Sequence, residues 1–250
     1  MPFDFQPLTN FRLARGSHKQ PNKDGNICVN EAAVIAAGFE YRAVRDVSCL
    51  PDCFSHPVSD YAIYLNDVML HKVRNRFLMP FVIRLPGTSD SPWIEAKRAE
   101  FIVIETARRI VAAEYDEIWH KPAVAMKCRA VPSVQQVSSV MAKAKTVLPL
   151  ECAREMLLAA RQCLSRDLRI GSHCAAAAKA AARSFRNKLG PDADRKIWQM
   201  AINILEEAIL LGRHDGIGDV MAAAERLERA KAPLDGASVF PHHQVIGIAA

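Results

Sequence analysis

Apolar side chains recur at three- and four-residue steps over long stretches of this chain, the period of helices that bury one face. The clearest stripe runs Ile197, Ala201, Ile204, Ala208 and Leu211 and is stopped by Gly212. Ala153, Leu157, Ala160 and Leu164 mark an earlier helix, and Ile217, Val220, Ala224 and Leu227 a later one. Between them lies the alanine run from Cys174 to Ala182, with Ser172 as its candidate cap. Its small side chains suit close approach of neighbouring helices. Upstream, Phe101, Ile104, Ala107, Val111, Tyr115 and Ile118 predict a long central helix, broadened by Ile102 and Val103. Ser91 is placed to cap it and Pro92 to occupy its first position. Pro132-Ser133 and Leu148-Pro149 bracket a linker or short helix.

Before residue 90 the pattern is weaker. A short helix fits Cys28 to Ala37, ended by Gly38 in the left-handed conformation. Pro57 opens the next, whose stripe is Val58, Ala62, Leu65 and Met69, with Asn66-Asp67 midway along it on a turn of their own. Residues 1–27 and the connector carrying Cys49 and Cys53 are rich in turn formers. Met79 to Thr88 is an apolar segment held between prolines. Short joints at Gly171, Gly190-Pro191 and Gly212 to Gly216 favour antiparallel neighbours. The fold expected is mainly α: a loop-rich, motif-bearing N-terminal portion (1–130) packed on an antiparallel helical bundle (131–235), with a loose tail (236–250).

At 250 residues, 50% hydrophobic and 24% charged, the composition is globular. Every long apolar run is broken by charge, so no membrane span is expected. The N-terminus lacks the basic start and apolar core of a secretory signal. Seven cysteines form no compact disulfide framework, which points to reduced thiols and a cytoplasmic location. The net charge of +6 is mild, and its basic residues alternate with acidic ones. Nucleic-acid binding through scattered cations such as Lys72, Arg74, Arg76 and Arg84 therefore ranks below an unknown protein partner.

The candidate chemistry lies between Gly16 and Asp67. His18, Cys28, Cys49, Cys53 and His56 are of the types that bind zinc, although their spacing matches no established signature. A structural zinc would steady a region rich in loops. Alternatively, Cys28 at a helix start would have a lowered pKa, with His18 as base and Glu31 one turn on orienting a partner, the parts of a cysteine-dependent hydrolase or transferase. The plain reading stands beside both: buried cysteines behave as small hydrophobes, Glu31 serves the helix N-terminus, and Asn66-Asp67 tie a helix to a loop. Cys128, Cys152, Cys163 and Cys174 fall near apolar faces and are expected in the core. His242-His243 lie in the tail and are expected to be solvated.

Gly16, His18, Cys28, Glu31, Ala32, Ala37-Gly38, Pro51, Cys53, Pro57-Val58 and Asn66-Asp67, followed by Leu78, Pro80-Phe81, Arg84-Leu85 and Gly87-Thr88, form a pattern over residues 12–120. In it the chain resembles a family of bacterial and phage-associated proteins without an established activity. Two features depart from that pattern: Cys53 and Pro57-Val58 stand one residue further apart, and Cys49 is extra. The resemblance singles out His18, Cys28, Glu31 and Cys53 without assigning them a task. The function expected is non-enzymatic, acting by protein contact and open to zinc stabilisation, with the Cys28–His18 enzyme as the rival.

Overall fold

The computed structural model describes residues 11–18 and 25–212, and the fold is mainly α. The helix expected over 217–227, the tail and His242-His243 lie outside the described residues. Two two-residue strands, β1 (Arg12–Leu13) and β2 (Asn26–Ile27), pair in parallel. Helix α1 (Val29–Ala36) follows, with Gly38 beyond it at φ +77° as the end of the pattern requires. A 3-10 turn at Val47–Cys49 leads to α2 (His56–Val68), whose Pro57 sits in its first turn.

Asn66-Asp67 occupy the last turn of α2, because the chain breaks at Met69-Leu70 and restarts as α3 (His71–Leu78). No glycine or proline announces that corner. It is held by Arg74, which is buried and donates to the carbonyls of Leu13 (3.2 Å), Met69 (2.8 Å) and Asn66.

The central helix α4 begins at Pro92, with Ser91 capping the Ile94 amide, and runs to Glu105. Its backbone continues as π-helical turns over Thr106–Val111 and Glu114–Ile118. Phe101 and Ile104 are only half-buried, whereas Arg98, Ile102 and Val103 face fully inward. The inner stripe is therefore rotated by one residue in the first half of the helix and includes a guanidinium.

The bracketed linker is two helices, α5 (Pro122–Arg129) and the 14-residue α6 (Val134–Val147). Then come α7 (Glu151–Leu164), α8 (Gly171–Leu189) and α9 (Asp194–Leu210), near the expected bounds. Consecutive helices α6 to α9 pack side by side, and α8 also lies along α2. The alanine run is packing surface: Ala175, Ala177, Ala178, Ala180, Ala181 and Ala182 are all buried. Cys128, Cys152 and Cys174 are core and Cys163 is partly buried. One cluster of buried apolar residues extends from Leu13 to Ile209, so the N-terminal portion and the bundle share a core.

Ser172 does not cap α8. The helix starts one residue earlier, and the Gly171 amide is taken by Asp60 Oδ2 of α2 at 2.6 Å. A side chain from another helix has replaced the local cap, satisfying one of the amides that every helix start leaves open. Gly171 is obligatory for that contact: a Cβ there would lie 2.5 Å from the backbone of Asp60 and Tyr61. Gly171→Ala should push α8 off α2 and cost about 1–3 kcal/mol, read by denaturant unfolding.

Asp60 itself gives a pH signature. Burial pushes its carboxyl from 3.8 up to about 6, only partly opposed by the Gly171 amide. The folded pKa lies above the unfolded one, so the stability tied to this group is present at low pH and lost as pH rises through about 6. Two units correspond to about 3 kcal/mol. Asp60→Asn, which keeps an oxygen for Gly171, should be more stable than the parent above pH 6, with the difference closing towards pH 4. An equal difference at both ends of that range would rule this out.

Candidate functional site

Glu31 is fully buried and lies at the centre of the motif region. It is the third residue of α1, and with Cys28 it forms a reciprocal cap. Glu31 Oε2 accepts from the Cys28 amide (2.9 Å), while Cys28 Sγ accepts from the Glu31 amide (3.3 Å). The same oxygen meets His18 Nδ1 at 3.0 Å, an arrangement that requires hydrogen on Nδ1. Oε1 accepts from Ser17 Oγ (3.0 Å), the His18 amide (2.9 Å) and the Val44 amide (3.1 Å). Tyr41 adds a hydrogen bond from its hydroxyl to the His18 carbonyl. One carboxylate thus joins a loop, a helix start and a second loop.

The Gly16-Ser17-His18 segment is fastened from its other side by α2. Asp67 Oδ1 accepts from the Gly16 amide (2.8 Å) and Asn66 Nδ2 donates to the Ala14 carbonyl (2.7 Å). Arg15 Nε donates to the Asp67 carbonyl at 2.7 Å. Asn75 of α3 accepts from the Leu13 amide (2.8 Å) and returns a bond to its carbonyl (3.1 Å). The polar motif residues of residues 13–67 therefore hold one strand segment in place.

His18, Cys28 and Glu31 come together, as the enzyme reading requires, but the thiol is in the wrong state. Its pKa is pushed far above the ordinary range, first by burial and then by the negative charge of Glu31. The amides of Glu31 and Asn30 pull the other way and lose. A helix start alone would have lowered it; burial, helped by a carboxylate in the same first turn, reverses the sign. Tyr41 is likewise raised, to about 12, by burial and then by Glu31.

The zinc set His18, Cys28, Cys49, Cys53 and His56 is not assembled. Among the described residues no three His, Cys, Asp or Glu side chains gather to hold a metal ion. Cys28 caps α1, Cys49 closes a 3-10 turn, and His56 is exposed at the start of α2. The loops that a metal would have steadied are tied by Glu31 instead.

A second polar knot, which the sequence pattern left unnoticed, follows Cys53. The Cys53 carbonyl accepts from the Ser89 amide (3.0 Å), and Thr88 Oγ1 accepts from the Ser55 amide (3.0 Å). Ser55 Oγ donates to Glu95 Oε2 at 2.6 Å, and Arg98 Nη1 donates to Glu95 Oε1 at 2.8 Å. Arg98 is 1% exposed and reaches the Leu211 carbonyl at 2.8 Å, the end of the last described helix. Two charges three residues apart in α4 were the available signal.

Glu31→Gln would turn an amide N–H towards donors that now meet a carboxylate oxygen. The substitution should cost about 3 kcal/mol in denaturant unfolding and speed tryptic cleavage after Arg15. Unchanged stability would show that the knot carries little of the fold. No protein family, curated protein or solved structure matches this chain.

Proposed function

We propose that the chain is a non-enzymatic helical protein that works by contact with a macromolecular partner. In this reading the His18–Cys28–Glu31 constellation is a structural lock. The observation that carries it is the state of Cys28: buried, bonded to the Glu31 amide and raised in pKa, it is a capping group and a poor nucleophile. The His18–Glu31 pair has the geometry of a base held by a carboxylate, which is what favours the rival hydrolase or transferase. That rival also needs a thiolate, and the same carboxylate opposes one.

Of the motif positions, Gly16, His18, Cys28, Glu31, Asn66 and Asp67 fasten the N-terminal segment, whereas Arg84 pairs with Glu206 and Thr88 with Ser55. The seven cysteines are free thiols, which supports a reducing, cytoplasmic setting. No helix among the described residues is long and apolar enough to cross a membrane.

Iodoacetamide near neutral pH should label Cys28 in the folded protein far more slowly than a model thiol, and at the ordinary rate after denaturation. Reaction at or above the model rate in the folded state would sink the lock and revive the enzyme. A chelator should leave the unfolding midpoint where it was, because Glu31 already ties the loops that zinc was invoked to hold. A fall in that midpoint, with zinc found by elemental analysis, would restore the metal.

A further inference from the structure

The four cations that the sequence offered as a scattered set have separate fates. Arg74 is consumed by three carbonyls, and Arg84 pairs with Glu206 at 2.9 Å. Lys72 and Arg76 remain exposed, and the fold adds two others to them. At 100° per residue, His71, Asn75, Lys72 and Arg76 form one continuous arc of α3. The three charged or titratable members of that arc are exposed. Asn75 lies within it and holds Leu13 of β1 through both its amide and its carbonyl. Strand alternation turns Leu13 inward and Arg12 outward, and Arg15 is exposed where its Nε meets the Asp67 carbonyl.

Arg12 and Arg15 thus flank the Leu13 end of the β1–α3 contact, and Lys72 and Arg76 lie on the exposed arc beside its Asn75 end, with His71 at the edge. None of the four forms an ion pair among the described residues. No aspartate or glutamate occurs between Val68 and Ser89, or between Phe11 and His18. Among the described residues Asp67 borders the face, and its Oδ1 is occupied by the Gly16 amide and by Asn66 Nδ2 at 3.2 Å. A set of cations without an ion pair among the described residues, three of them arginines, on a surface tied by the β1–α3 hydrogen bonds suits phosphate oxygens.

We propose that the β1–α3 face binds the phosphate backbone of a nucleic-acid duplex without reading its sequence. The duplex is favoured over a single strand because, among the described residues, the face presents no fully exposed aromatic ring. Phe11 and Phe77 are half-buried, and the Arg76 guanidinium lies 5.8 Å from the centre of the Phe77 ring. The inference rests on reading the chain as a binding protein, but not on the chemistry of Cys28.

The test uses the full chain and a short DNA duplex, with fluorescence anisotropy measured over a range of salt concentrations. Neutralising four phosphates predicts a slope of log affinity against log salt of about −3.6. The double variant Lys72→Gln/Arg76→Gln should bind at least about tenfold more weakly and lose about half that slope. A double variant with the same charge change on α6, Lys143→Gln/Lys145→Gln, should bind as the parent does. Circular dichroism checks that both remain folded. Absence of duplex binding at low salt overturns the proposal, as does an equal loss in both variants. A single strand bound more tightly than the duplex, or displacement of the duplex by polyglutamate at equal charge, overturns it in favour of a different anionic partner. Iodoacetamide labelling reports separately on the lock, so failure of one is not failure of the other.

Discussion

A buried carboxylate must be surrounded by donors or become neutral, and in this protein Glu31 is met by five. That requirement organises the N-terminal third. The donors come from Ser17 and His18, from the start of α1 and from Val44, stretches with little apolar periodicity of their own. A hydrophobic cluster could gather these loops but would leave their backbone groups unpaired. The carboxylate satisfies several amides at once and fixes how the loops meet.

Helix α2 carries that order into the bundle. Its last turn holds β1 through Asn66 and Asp67, and Asp60 in its first half caps α8. Ser55, immediately before it, joins the Glu95–Arg98 knot that reaches the end of α9. The three attachments lie at successive points along one helix. Each is polar and directional; the Asp60 and Ser55 attachments are buried, and the one at Asn66-Asp67 is part-buried. The alanine face of α8 makes the middle attachment possible, because bulkier side chains would hold the helices too far apart for Asp60 to reach Gly171.

Cysteine, histidine and glutamate are brought together around one carboxylate, yet burial, reinforced by the charge that positions the imidazole, raises the thiol pKa. The polar groups of the motif are turned inwards on one another. On the outer side of the same region, the cations of β1 and α3 form no ion pair among the described residues.

Much of the helical framework was legible from local chemistry. Ser91-Pro92 marked the start of α4, Gly38 and Gly212 marked helix ends, and the stripe at Ile197 to Leu211 marked α9, because caps, prolines and periodicity act over a few residues. The residue types of the candidate site were legible for the same reason. Their roles were not, since a pKa depends on what the fold packs against a group: Cys28 at a helix start reads as activated until Glu31 and burial are placed beside it. The α2–α3 corner, the inward turn of Arg98 and the capping of α8 by Asp60 each depend on a partner more than 30 residues away or on a buried charge in an apolar stripe. The sequence by itself determined where helices begin, which faces are apolar and which reactive groups are present. The tertiary structure alone decided which of those groups meet, which are removed from water and which cations share a face, because desolvation and long-range hydrogen bonds exist only once distant segments have packed.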